Sequence, residues 1–242
     1  TTHESSLRRS YKDDPIFFMS YKIFKNIVGD GVMVADGSEW LYHRKKLNPT
    51  LSDSAVRAYL PSLVTSYAHI LDSWIKRSSS SPFSISRSEI VELVYSVHWK
   101  LVFGFSIGDS DVRSLTAIDH ERYMLFGQIF SSPFGRIPRP DWLPFSRFNR
   151  LRRLTRDSDK FLQKALETYF ERDKRSQSFS CLLDSFYVKS SNQSGCPLNF
   201  RKGNSIDFVK TIIYVSVTTT ASSLEWALRI LSAKPQIFEI LR

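Results

Sequence analysis

Trp40 and Arg44 are the two residues whose types and spacing suggest chemistry most directly. They lie four residues apart in the run GSEWLYHRKKLNP, so a helix through this run presents both side chains on one face. The indole has one N–H donor, and the guanidinium has several N–H donors in a planar arrangement that matches a carboxylate. Neither group accepts a proton. The pair could therefore bind an anion. The alternative is a surface cation–π contact between the two side chains, which the spacing taken alone favours.

A second set of candidate residues carries hydroxyl groups. The run Thr211–Thr220 is rich in β-branched residues and would form a strand on propensity alone, but helical spacing places five aliphatic side chains on one face. Those residues are Ile213, Val217, Leu224, Leu228 and Leu231. Beside them runs a hydroxyl ridge, which consists of Ser216, Thr219, Thr220 and Ser223. Apolar residues continue the ridge at both ends, which favours burial. The hydroxyls either bond back to carbonyl groups one turn earlier, which the pattern alone favours, or face a ligand.

Composition limits the class of protein that could position these residues. The chain has 242 residues, of which 42% are hydrophobic, and this is too apolar for a disordered protein. Its 9 glycines argue against glycine-rich nucleotide loops and repetitive all-β folds. The net charge of +10 favours anionic partners. The two cysteines, Cys181 and Cys196, exclude a disulfide-built scaffold, show no metal-ligand spacing and indicate a reducing compartment.

Helical periodicity dominates the rest of the chain. Apolar residues recur at three- and four-residue steps in three segments, within 60–74, 90–102 and 151–169. Asp53 or Ser54 could cap the first helix, and Ser86 with Glu89 has the spacing of a capping box for the second. The run Gly31–Ala35 is the clearest strand candidate. The sequence therefore predicts a mainly α domain.

Two segments of the chain together resemble one enzyme family. The run GDGVMVADGSEWLYHRKKLNPTL (Gly29–Leu51) resembles the entry into helix C of cytochrome P450 enzymes, the haem-thiolate monooxygenases. The segment YVSVTTTASSLEW (Tyr214–Trp226) resembles the oxygen-activating stretch of their helix I. Both segments occur in the family's order and at a suitable separation, and the likeness is strongest to eukaryotic microsomal members.

Other landmarks extend this resemblance over nearly the whole chain, from about Asp14. Phe103 and Gly104 resemble the end of the family's helix E, and Lys234–Arg242 resembles the opening of helix J. The implied fold is an incomplete cytochrome P450 fold, a single partial domain over residues 1–242 with helices C to I/J and an incomplete small sheet. Helix K and the loop that carries the axial cysteine are not in this chain, and neither of its cysteines lies in a comparable loop.

The resemblance assigns roles to the candidate residues. It implies haem as the cofactor, with Trp40 and Arg44 binding its propionates and with Ser216 and Thr219 over its distal face. Thr219 takes the position of the family's oxygen-handling threonine. Thr218 takes the position of a neighbouring acid, and a threonine cannot supply an ionisable proton at neutral pH. No residue of the chain is expected to bind the metal.

The proline-rich segment 133–145 resembles the connection between helices F and G, which rests against the membrane in microsomal members. Its prolines forbid a continuous helix, and its aromatic and arginine side chains suit a membrane surface. A proline-stiffened surface turn is the alternative. The resemblance places the protein on the cytosolic face of the endoplasmic reticulum membrane, with an anchor outside this chain. The basic run over 147–156 is interpreted as a membrane-facing or solvated face, and nucleic acid is not an expected partner.

Three functions are consistent with the sequence. The first is a fragment of a haem-thiolate monooxygenase, which oxidises a lipophilic substrate with dioxygen and electrons from a flavoprotein reductase. The second is a non-catalytic, truncated helical remnant that acts as an interaction module. The third is a haem-thiolate isomerase or dehydratase, which the missing acid at Thr218 suggests. Because the axial cysteine is absent, the sequence leaves open whether this chain alone is an enzyme.

Overall fold

The computed structural model describes residues 23–79, 84–131, 146–172, 181–184, 202–234 and 236–237. All regular secondary structure within these ranges is helical, so the prediction of a mainly α domain is confirmed. Six helices are labelled in chain order. They are α1 (Gly37–Leu47), α2 (Asp53–Ser78), α3 (Arg87–Phe103), α4 (Asp109–Ser131), α5 (Arg147–Glu171) and α6 (Lys202–Ala233). A helical segment at 23–28 precedes α1, and a 3-10 turn (Asn48–Leu51) separates α1 from α2.

Local capping signals define the ends of α3. The Ser86 hydroxyl accepts from the Glu89 N–H, and the Glu89 carboxylate accepts from the Ser86 N–H, so the predicted capping box is confirmed. At the other end Gly104 has φ 78°, a left-handed conformation that a glycine adopts without strain, and its N–H donates to the Lys100 carbonyl. The predicted helix end at Phe103 and Gly104 is therefore confirmed.

Two local predictions are wrong. The N-cap of α2 is Ser52, whose hydroxyl accepts from the Ala55 N–H at 3.4 Å, and Asp53 instead lies in the first helical turn. The run Gly31–Ala35 forms a turn and not a strand, because the N–H groups of Val34 and Ala35 both donate to the Gly31 carbonyl, at 3.0 and 3.1 Å. The run Thr211–Thr220, by contrast, lies within α6, as its helical spacing predicts.

The described residues divide into two compact units. The first contains 23–43, 117–131, 146–167 and 202–211. Its interior holds Arg122, which is 2% exposed and connects three parts of the unit. The guanidinium donates to the Asp119 carboxylate at 2.8 Å, to the Ser158 hydroxyl at 3.2 Å and to the Ile27 carbonyl at 3.0 Å. Burial raises the pKa of Asp119 to about 6, against the opposing charge of Arg122.

The second unit contains the described residues of 44–116, 168–184 and 212–237. Helix α3 forms its core, with eight buried side chains along its length. At one end of α6 the Glu225 carboxylate pairs with Arg87 and with Arg229. Near Cys181, the Asp184 carboxylate accepts hydrogen bonds from the Tyr169 hydroxyl at 2.9 Å and from the Cys181 N–H at 3.1 Å. These contacts fix the ends of the unit's long helices.

Helix α2 presents an apolar stripe to the exterior. The residues whose spacing predicts this helix do lie on it, but only Trp74 among them is buried. Leu60, Val64 and Leu71 are each about half exposed. Among the described helices, none combines the length and apolar character required to cross a bilayer.

Candidate functional site

The segment before α1 is held close to the N-terminal part of α6 by two glycines. Gly29 has φ 77°, and a Cβ atom at this position would overlap the Asp207 carboxylate. A Cβ atom at Gly31 would overlap the Thr211 hydroxyl. That hydroxyl donates to the Val28 carbonyl at 3.0 Å. The glycines of the GDG run therefore allow the close approach from which the chain turns into α1.

Trp40 and Arg44 lie one turn apart on α1, as the sequence predicts. Trp40 is 41% exposed and Arg44 is also exposed. Among the described residues, neither side chain makes a hydrogen bond or an ion pair, and no cation–π contact joins them. The surface cation–π alternative is therefore not formed. Both side chains therefore carry hydrogen-bond donors that no described residue uses.

Three hydroxyl groups in the middle of α6 donate to carbonyl groups of the helix itself. Ser216 donates to the Ile213 carbonyl at 3.2 Å, Thr218 donates to the Tyr214 carbonyl at 2.8 Å, and Thr219 donates to the Val215 carbonyl at 2.9 Å. This is the backbone bonding that the pattern alone favours. The expectation of a buried ridge is wrong for Thr219 and Ser223, whose side chains are exposed. Each hydroxyl oxygen still has lone pairs that can accept a hydrogen bond.

The described residues do not provide a thiolate ligand. Cys181 is fully buried, and burial raises the pKa of its thiol to about 12, so the thiol is neutral near pH 7. Within the ranges that the structure describes, no group of three His, Cys, Asp or Glu residues is arranged to hold a metal ion. Cys196 and the segment 133–145 lie outside the described residues.

Sequence reasoning missed a polar cleft of about 720 Å³ in the first unit. It is lined by residues of the segment before α1, of α5 and of α6. In the sequence, the basic run over 147–156 is the one pattern that points to this cleft. The arginines of that run have different surroundings. Arg150 donates two hydrogen bonds to the Glu121 carboxylate, whereas Arg152, Arg153 and Arg156 line the cleft.

A sequence model of the cytochrome P450 family matches residues 5–242, which is nearly the entire chain. This chain belongs to the cytochrome P450 family. It is 22% identical over 243 residues to "Cytochrome P450 4Z1" of Homo sapiens, covering 93% of this chain and 46% of that protein. It is 23% identical over 249 residues to "Cytochrome P450 4B1" of Rattus norvegicus, covering 96% of this chain and 46% of that protein.

The solved structure titled "Crystal structure of cytochrome P450DA heme domain" has the same fold, with a TM-score of 0.70 at 15% identity. The match covers 90% of this chain and 46% of that one. The resemblance and the incomplete P450 fold expected from the sequence are therefore confirmed, and the chain spans about half the length of the curated relatives it matches. Membership makes haem the family cofactor. The unengaged donors of Trp40 and Arg44 fit its carboxylates, while the described cysteine does not fit its iron.

Proposed function

We propose that this P450 chain supplies the propionate-binding helix and the distal helix of a haem-thiolate monooxygenase. The observation that carries the proposal is the pair of exposed donors, Trp40 and Arg44, which have no partner among the described residues. The haem, once bound, would activate dioxygen for insertion of one oxygen atom into a lipophilic substrate. Electrons would come from a flavoprotein reductase.

In this proposal the two donors of α1 act as one clamp. The Arg44 guanidinium binds a propionate carboxylate through charge-assisted hydrogen bonds, and the Trp40 N–H adds a neutral one. Because α1 holds the two residues one turn apart, the backbone is already ordered for both to reach the same group, and the ordering cost is that of the two side chains. The cofactor is thereby oriented as well as retained.

The hydroxyl ridge is proposed to face the distal side of the cofactor. Thr219 is exposed, and its hydroxyl proton is directed at the Val215 carbonyl, so the oxygen presents lone pairs to an incoming donor. To give up that proton, the side chain must rotate away from the carbonyl. Ser216 is half-buried and can hold a water beside it. Thr218 stands where the family usually has an acid and cannot provide an ionisable proton.

The location of the protein is also part of the proposal. The segment 133–145 would rest on the cytosolic face of the endoplasmic reticulum membrane, where its aromatic and arginine side chains suit the interface. This location would give access to lipophilic substrates and to the reductase.

A haem titration tests the clamp in a full-length family protein that contains this chain. Replacing Arg44 by Ala is expected to weaken haem binding by roughly 10- to 100-fold, because a charge-assisted contact is lost. Trp40→Phe should have a smaller effect in the same direction. Arg57→Ala is the matched control, since Arg57 is an exposed arginine that pairs with Asp53 on α2. Unchanged haem retention in Arg44→Ala would refute the assignment.

Oxygen use tests the role given to Thr218. A missing acid removes general acid–base assistance, which typically contributes about 10²–10⁴-fold, so the natural protein should consume electron donor with little oxygenated product. Thr218→Glu should raise the product formed per electron donor consumed, and Thr218→Val, which keeps the shape but not the hydroxyl, should not. If the natural protein already forms about one product per electron donor consumed and the glutamate adds nothing, Thr218 has only a structural role.

A further inference from the structure

The polar cleft of the first unit has the composition of a binding site that the haem proposal does not use. The segment before α1, helix α5 and the N-terminal part of α6 all contribute charged side chains to its lining. All of them belong to one compact unit. The lining therefore combines five cationic side chains with three carboxylates, and its volume of about 720 Å³ lies in the range of small-molecule sites.

One wall of the cleft is a row of arginines on α5. Arg152 and Arg156 lie one helical turn apart, and Arg153 lies beside them on the same face. Arg153 and Arg156 are exposed, and within the described ranges neither forms an ion pair. Their charges help to lower the pKa of the nearby Asp157, although Lys160 is the larger cause. Guanidinium groups in this arrangement can bind a phosphate or a carboxylate through two parallel hydrogen bonds.

Four of the remaining charged residues of the lining form two ion pairs. Lys210 is buried and donates to the Asp159 carboxylate at 2.8 Å, and Lys25 pairs with Asp30. Asp207 is half-buried, and burial raises the pKa of its carboxyl group. Two of the three carboxylates are thus neutralised by lysines. After these pairs, positive charge remains on Arg153 and Arg156, which form no ion pair within the described ranges.

Two residues of the cleft lining carry buried polar atoms that have no hydrogen-bond partner among the described residues. Thr155 is 7% exposed and lines the cleft, and its hydroxyl makes no hydrogen bond in the described structure. The Oδ1 atom of Asp159 is likewise buried without a partner, whereas Oδ2 accepts from Lys210. Buried polar atoms are nearly always hydrogen-bonded, so these two atoms retain unused hydrogen-bonding capacity, which a small side-chain rotation would turn towards a molecule in the cleft.

We infer that this cleft binds a small organic anion, whose phosphate or carboxylate group contacts Arg153 and Arg156 and whose hydrogen-bonding groups reach the Thr155 hydroxyl and Asp159. The site shares no residue with the proposed haem clamp on α1, and its occupation requires no haem. Its donors and its shape come from residues of one unit.

Calorimetric titration of the 242-residue chain, without haem, tests this inference. The probes are inorganic pyrophosphate and citrate, with the ionic strength held constant by sodium chloride so that screening does not vary. The expected result is saturable binding of at least one probe. Arg153→Gln combined with Arg156→Gln should weaken it by at least about tenfold, because two charge-assisted contacts are lost.

Two further variants separate a built site from general charge attraction. Arg113→Gln combined with Arg147→Gln removes the same charge from exposed arginines outside the cleft and should leave the affinity nearly unchanged. Thr155→Val keeps the shape of the side chain and removes the unpartnered hydroxyl. It should weaken binding several-fold without lowering the stability of the chain in urea, whereas a purely structural hydroxyl would change stability and not binding.

Vesicles distinguish a free anion from a lipid headgroup. The chain is mixed with phosphatidylcholine vesicles that contain or lack phosphatidylserine. Saturable binding of a free probe that the cleft variants weaken supports the inference, whether or not the vesicles bind. Binding to anionic vesicles without binding of either free probe would overturn the inference. An equal loss of probe affinity in the cleft double variant and in the control double variant would overturn it as well.

Discussion

Arg122 and Arg44 show how differently one residue type is used in two regions of this molecule. Arg122 is almost completely buried and donates to a carboxylate, a hydroxyl and a backbone carbonyl. Arg44 is exposed on α1 and has no ion pair within the described part of the chain. The first arginine joins segments of the first unit, and the second presents its donors outward.

The difference between them leads to opposite expectations for substitution. A buried arginine that donates to several groups holds the fold together, because its removal leaves a buried carboxylate without its partner. An exposed arginine without a partner contributes little to folding, and its side chain is available for a ligand. Substitution of Arg122 should therefore affect stability, whereas substitution of Arg44 should affect binding.

The largest effect is expected for Arg122→Ala. It should lower the free energy of unfolding by about 3–5 kcal/mol, since Asp119, Ser158 and the Ile27 carbonyl all lose a donor. Urea unfolding followed by helical circular dichroism measures the loss. Arg113→Ala is the control on the same helix, because Arg113 is exposed. If the two variants are equally stable, the buried network has no structural role.

The pH dependence of stability isolates the partner of Arg122. The pKa of Asp119 in the folded chain is raised to about 6, so the folded state holds a proton that the unfolded state releases at lower pH. The contribution of this proton to stability is fully present below the unfolded pKa of about 4 and is lost as pH rises through about 6. The total change is on the order of 3 kcal/mol.

Asp119→Asn provides the reference for that experiment, because it removes the titration and leaves the other carboxylates in place. The free energy of unfolding of the wild type minus that of the variant should therefore fall between about pH 4 and 6 and stay constant above pH 7. Glu89, whose pKa is lowered mainly by the Ser86 backbone N–H, contributes the opposite slope to both proteins and cancels. A difference that rises with pH would mean that the Asp119 carboxyl is ionised throughout.

Sequence and structure agree where the determining interactions are local. Both ends of α3 follow from residues within four positions of each other, Ser86 with Glu89 and Gly104 with Lys100. The α1 pair is likewise fixed by helical spacing, and the family resemblance supplied its proposed ligand. The placement of these residues could therefore be predicted from the chain alone.

The wrong or missing predictions involve partners that are distant along the chain. Gly31–Ala35 has strand-forming residues, but its glycine packs against Thr211 on α6 and the segment turns. Arg122 bonds to groups 36 and 95 residues away, which no periodicity reveals. The cleft was missed for the same reason, since the arginines of α5 were visible in sequence while Asp207 and Lys210 were not associated with them.

The most direct test of the central claim is the stabilisation that haem gives to the full-length family protein containing this chain. Urea unfolding is measured with and without excess haem for wild type and Arg44→Ala. The account predicts that the two haem-free proteins unfold at the same urea concentration, and that the gain on adding haem is smaller in the variant by about 1.5–3 kcal/mol. An equal gain in both proteins, or a haem-free variant that is itself destabilised, would contradict the assignment of Arg44 to binding.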